Sequence, residues 1–200
     1  MILLVICFGL ITAGELVMSA YLNKHVPDFA MNPKKFAIVL SVGNLALAAL
    51  SFYKNSRFGD DAVPAYWFFC LLAYLYCMML YDLKHKLLPD WLHLIPLIGY
   101  AGVWIQQKQP VPLLQSVVTV VLTAVMLGLI ILIQKDAIGT GDVKLLLVCS
   151  IYTGYYCMGI VFRGCVVAFA ISIVMLLMKK VSRKSELPFA PFLFLGALLL

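Results

Sequence analysis

Two aspartates stand where a carboxyl group has to be explained. Asp142 follows two glycines in "AIGTGDVKLLL", residues 137–147, at the mouth of a long apolar run. Gly139 and Gly141 suit a tight turn or a close backbone approach just before a helix. Asp142 then falls at or near the start of a helix beginning around Val143, where free N–H groups and the helix dipole favour an anion. Taken alone, it reads as an N-cap. Asp82, in "YDLKHKLLPDW", closes an apolar run instead. The carbonyls at a helix C-terminus repel negative charge, so something else must hold Asp82 there. Two carboxyl groups in one desolvated site cannot both ionise easily: one keeps a proton, the other stays a base, and a water between them can be activated against a peptide carbonyl. The pair predicts aspartic-protease chemistry. Asp142, favoured as an anion, is expected to be the base and Asp82 the acid, the two titrating as a unit. Asp90, behind Pro89, reads as a turn followed by a cap and so as structural.

The elements that must position these groups are membrane helices. The 200-residue chain is 64% hydrophobic and 12% charged, with mean hydropathy +1.03, far above a soluble domain. Apolar runs cover 2–22, 36–53, 65–81, 91–106, 112–134, 145–162, 164–178 and 187–200. The fold expected is all-α, a polytopic transmembrane bundle of about six to eight spans. Residues 144–178 are too long for one crossing, and Arg163-Gly164 in their middle predicts a hairpin there. Residues 1–22 have no basic segment before them and read as an uncleaved first helix. The longest polar connections, 23–35 and 54–64, are too short for a soluble domain, so residues 1–200 are expected to be a single integral membrane domain.

Loop charge orients the bundle. Counting eight spans, Lys24, Lys34, Lys35, Lys84, Lys86, Lys135, Lys144, Lys179, Lys180, Arg183 and Lys184 share one side, and Lys54, Arg57, Lys108 and Arg163 the other. That asymmetry predicts an N-terminus outside and both Asp82 and Asp142 at the cytoplasmic boundary. Topology and anionic lipid therefore explain the net charge of +6, and no nucleic-acid partner is expected. The six cysteines lie in or against apolar runs without a C-x-x-C pair, and His25, His85 and His93 are scattered, so no metal site is expected. Glu15, inside the first run, should face the bundle interior, either as structural polar glue or in contact with substrate. Lys144 either tunes the acid pair, holds a substrate carboxylate or reaches toward lipid headgroups, the last being the plainer reading and the one given to Lys84 and Lys86. Tyr81 reads as an interfacial anchor, and Pro188 and Pro191 as breaks in the last helix or contacts to substrate.

These residues form motifs. "GTGDVKLL" resembles the G-x-G-D-x-K-L signature of type IV prepilin peptidases, and "YDLKHKLLPD" resembles their other catalytic segment. "ELPFAPFLFLGALL" resembles their Pro-Phe-Gly-Pro-Phe segment, with Ala190 in place of the usual glycine, and Asp136 falls where that family commonly has an acid. The motif-bearing part is 80–200; residues 1–60 match only loosely. The resemblance implies that Asp82 and Asp142 are the catalytic pair, supported by a loop with Gly139, Gly141 and Lys144. It implies an endopeptidase of the cell (inner) membrane that removes the basic leader of prepilin-like precursors on the cytoplasmic side, without metal or organic cofactor. Large members carry a cytoplasmic insert with paired C-x-x-C motifs that belongs with N-methylation. Here the connection is "NKHVPDFAMNPKK", so a peptidase without the methyltransferase half is expected. The Tyr-Asp and Gly-x-Gly-Asp pair also resembles presenilin and signal peptide peptidase, which cut within membrane helices. A non-enzymatic proton-coupled carrier is the third reading.

Overall fold

The computed structural model describes residues 2–25, 33–58, 65–86, 88–94, 96–97, 100, 111–135, 138–178 and 187–199. Seven α-helices and a short 3-10 helix account for most of them, and there is no strand among the described residues. In chain order they are α1 (Ile2–His25), α2 (Pro33–Phe58), α3 (Ala65–His85), the 3-10 helix Asp90–His93, α4 (Leu113–Ile133), α5 (Thr140–Thr153), α6 (Tyr156–Leu177) and α7 (Ala190–Leu198).

Among the described residues, four helices are long and apolar enough to cross a membrane: Lys34–Lys54, Trp67–His85, Leu113–Ile133 and Tyr156–Leu177. In α1 the described side chains Phe8–Val17 fall within the apolar run 2–22. Helices α5 and α7 have 14 and 9 residues. At about 1.5 Å per residue neither reaches across a hydrocarbon core of about 30 Å. The apolar run 91–106 falls largely outside the described residues.

The chain divides into two compact units. The first comprises residues 1–77 and 95–110. There α1 packs on α2, and the buried Asn44 side chain donates to Glu15 Oε2 at 2.7 Å and to Thr12 Oγ1 at 3.3 Å. Helix α3 is apolar on all faces, and Trp67, Phe69, Leu71, Leu72, Tyr74 and Leu75 are fully buried, as expected for a helix enclosed by others. Gly43 of α2 lies against the Tyr76 ring, where a Cβ would collide.

The second unit, residues 78–94 and 111–200, holds the last two turns of α3, the 3-10 helix and α4 to α7. Helix α5 packs against α4, α6 and the 3-10 helix, and α6 against α7. Thr123 and Ser150 pair their hydroxyls at 2.8 Å between α4 and α5. Both also suit a membrane interior, where a polar side chain has to find its partner on a neighbouring helix.

The hairpin expected at Arg163-Gly164 lies nine residues earlier. Helix α5 ends at Thr153, Gly154 takes φ +55°, and α6 then runs unbroken through Arg163 and Gly164 to Leu177. The left-handed residue that ends a helix favours glycine, and Gly154 meets that need. Gly164 serves packing instead: a Cβ on it would sit 2.9 Å from the Phe192 carbonyl oxygen of α7. Gly196 meets it from the other side, where a Cβ would strike the Ile160 carbonyl and the Gly164 nitrogen. The paired glycines let the α6 and α7 backbones touch. Pro191 falls in the first turn of α7, where its missing N–H leaves no hydrogen bond unmade.

Candidate active site

The question raised by Asp82 is answered by α7. Asp82 lies in the last turn of α3 and is 6% exposed. Its Oδ2 accepts the Ala190 backbone N–H at 2.9 Å, with the Phe189 backbone contributing a second donor. The N-terminus of one helix thus offsets the carbonyls of another, supplying oriented donors to a carboxylate. This partner is a main-chain group and was missed in the residue reading. Its signal was the Pro191 that marks a helix start just after Ala190.

Helix α3 then stops abruptly. The Lys86 N–H bonds back to the Asp82 carbonyl at 2.9 Å and Lys86 takes φ +51°, uncommon for a side chain with a Cβ. The reversed chain runs through Leu88 and Pro89 into the 3-10 helix, where the Leu92 N–H bonds the Pro89 carbonyl at 3.1 Å.

Asp142 is the third residue of α5, whose helix begins at Thr140 rather than near Val143. The N-cap is Gly139, without a side-chain cap bond, so Asp142 favours the helix start through the dipole and not as the cap. Gly139 has φ −64°, a value open to any residue, so no special turn conformation calls for glycine there. Its Cβ would lie 3.4 Å from Asp142 Oδ2. Gly141 shows the close approach: a Cβ there would be 3.1 Å from the Leu88 side chain.

These segments enclose a cavity of about 230 Å³ lined by Asp82, Lys86, Leu88, Asp90, Gly139, Thr140, Gly141, Asp142 and Lys144. At roughly 30 Å³ per molecule it admits several waters. Both aspartates face it together. Asp142 is half-buried, and burial, followed by the neighbouring negative charge of Asp82, raises its pKa to about 6. A carboxyl group held near neutrality beside a second carboxyl is the condition for sharing one proton.

Asp90 does more than begin a short helix. Its Oδ1 accepts Lys144 Nζ at 2.7 Å, and this ion pair holds the Asp90 carboxyl below the usual carboxylate range. Lys144 therefore turns to an aspartate of the cavity rim.

The other candidates fall elsewhere. Glu15 is fully buried in the first unit, bonded to Asn44. Pro188 is half-buried just before α7 and is not among the residues lining the cavity. Asp136 lies outside the described residues. No group of three or more His, Cys, Asp and Glu side chains that could hold a metal ion occurs among the described residues.

A family model described as the type IV leader peptidase family matches residues 68–178, more than half of the chain. The match spans Asp82, Asp90, the glycine loop, Asp142 and Lys144. No curated protein and no solved structure matches.

Proposed function

The chain belongs to the type IV leader peptidase family, and from that premise we propose that it is a membrane-embedded aspartic endopeptidase. Its substrates are prepilin-like precursors, cut where their basic leader meets the hydrophobic helix. In this reading Asp82 and Asp142 are the catalytic residues, and the site faces the cytoplasm of a cell with the N-terminus outside. Of the six to eight crossings expected from the apolar runs, α5 and α7 are too short to be full ones, so the reading keeps about six. The single observation that carries the reading is the shared cavity of Asp82 and Asp142.

Mechanism follows from the surroundings of the two acids. The Ala190 N–H donates to Asp82, and such a bond favours the ionised carboxylate. Asp142 is raised by burial and by the negative charge of Asp82, which suits it to hold the shared proton. We therefore assign Asp82 as base and Asp142 as acid, the reverse of what the helix dipole alone suggested, within a pair that titrates as a unit. A water between them gives its proton to Asp82 while its oxygen bonds to the scissile carbonyl carbon. Asp142 gives its proton to the carbonyl oxygen. The tetrahedral intermediate then returns a proton to Asp142, the C–N bond breaks, and the leaving amine takes the proton from Asp82.

Gly139 and Gly141 add no side chain of their own to the cavity beside Asp142. The part of the chain that carries these steps is the second unit, which holds the motifs of residues 80–200. Lacking the cysteine-bearing insert, the enzyme leaves its product unmethylated. Co-expression with a candidate prepilin, followed by sequencing and mass measurement of the new N-terminus, tests both points. The expected product begins at the junction of leader and apolar helix and carries no added methyl group. A bond cut deep within the apolar segment, or a methylated terminus, contradicts the reading.

A further inference from the structure

Beside the acid pair the cavity holds one more carboxylate whose role the proposed mechanism leaves open. Asp90 and Lys144 are 54 positions apart in the chain and meet at 2.7 Å on the rim. Both line the same cavity as Asp82 and Asp142. Their side chains are well exposed, 71% for Asp90 and 49% for Lys144. An exposed ion pair of this kind contributes little, because water competes for both charges. It is therefore easily exchanged.

We propose that Asp90 is a substrate-recognition residue that takes a lysine or arginine side chain of the precursor, and that Lys144 occupies it until the substrate arrives. The inference rests on the peptidase reading and adds to it the residue that senses the leader's charge. Three observations support it. Asp82 is committed to the Ala190 N–H and Asp142 to the acid pair, which leaves Asp90 as the carboxylate on the cavity wall able to meet an incoming cation. The exchange replaces one cation by another at Asp90, so that carboxylate stays paired, and the released Lys144, 49% exposed, is solvated by water. Lys144 Nζ lies 2.7 Å from Asp90 Oδ1, so the lysine is held by Asp90 on the rim.

Asp90 acts by binding and so belongs to KM more than to kcat. The experiment uses the full-length protein in lipid nanodiscs and synthetic precursors that share one apolar helix, with a leader bearing lysine, its neutral isostere norleucine, or glutamate. Asp90→Asn is expected to raise KM for the lysine leader about three- to tenfold more than for the norleucine leader. Lys144→Gln removes the competing cation and is expected to lower KM for the lysine leader. Asp90→Lys is expected to prefer the glutamate leader to the lysine leader, a reversal that mere loss of fold does not produce. Binding of the same fluorescent precursors to Asp82→Asn protein reads the preference without turnover. Equal losses for lysine and norleucine leaders in Asp90→Asn, or a raised KM in Lys144→Gln, would overturn the proposal. Wild-type protein that cuts lysine and norleucine leaders with equal KM overturns it while leaving the peptidase reading intact. Failure of that reading is a separate result, cleavage that survives Asp82→Asn.

Discussion

Glu15 and Asp82 are both carboxyl groups buried on helices of a membrane protein, and their neighbourhoods have little else in common. Glu15, 0% exposed, is tied through Asn44 to Thr12, with the Cys77 thiol beside it. Among the described residues, Glu15 Oε1 and Asn44 Oδ1 find no hydrogen-bond donor. Asp82 is nearly as buried, but it opens on a cavity of about 230 Å³, has a second acid across that space and receives a main-chain donor from a helix start. Burial is common to both. What separates the two is room for water and a second carboxyl group, which the proposed hydrolysis requires and the joining of helices does not.

The sharpest way to break that contrast is to remove the acids one at a time. Asp82→Asn and Asp142→Asn are each expected to reduce precursor cleavage by about 10³-fold or more, since each loses a proton-transfer step that its partner cannot supply. Glu15→Gln keeps an amide where the carboxyl was and is expected to retain cleavage within about threefold, the change being a rearranged hydrogen bond away from the reacting atoms. Initial rates on a purified precursor at matched protein levels decide it. Near wild-type cleavage by either aspartate variant removes that residue from the mechanism, and loss in Glu15→Gln as deep as theirs erases the distinction.

An intermediate effect is expected from the glycines beneath α7. Gly196→Ala forces a methyl into the Ile160 carbonyl and the Gly164 backbone, and backbone atoms give way less readily than side chains. The expected result is a loss of stability of about 1–3 kcal/mol. Cleavage should fall further than stability alone explains, because α7 carries the Ala190 N–H that bonds Asp82. Thermal melting and initial rates on the same preparation measure the two effects. If Gly196→Ala lowers the melting temperature and leaves the rate of the folded fraction unchanged, the link from α7 to Asp82 carries no catalytic weight.

These glycines also mark how far the residues alone could be read. Hydropathy identified the long helices α2, α3 and α4 because an apolar stretch in a membrane has few other choices, but it broke α6 in two at Arg163-Gly164. That Asp82 needs a partner was legible because a carboxylate at a helix C-terminus is locally unfavourable. The partner itself was not, since the backbone N–H of Ala190 leaves only an indirect trace, the Pro191 that marks a helix start. Gly154 and Gly164 look alike in the chain, yet one ends a helix at positive φ and the other admits a neighbouring backbone. Only the position of α7 distinguishes them. Asp90 and Lys144 each had a satisfactory local reading, as cap and as a lysine reaching for headgroups. Their pairing across 54 positions belongs to tertiary structure.

The smallest effect concerns how the acid pair feels pH. Asp142 in the folded protein has its pKa raised from 3.8 to about 6. A group raised on folding contributes stability that is fully present below its unfolded pKa and is lost as pH rises through the folded one. The melting temperature is therefore expected to fall as pH goes from about 4 to about 7, and Asp142→Asn is expected to remove that component. Burial is the larger cause of the shift and the charge of Asp82 the smaller. Asp82→Asn should accordingly keep most of the fall and move its midpoint only slightly downward. Melting curves of the three proteins across that range separate the two causes. If Asp82→Asn flattens the profile as fully as Asp142→Asn does, repulsion between the carboxyls outweighs burial. The two acids would then be coupled too tightly for the proton to be assigned to Asp142 alone.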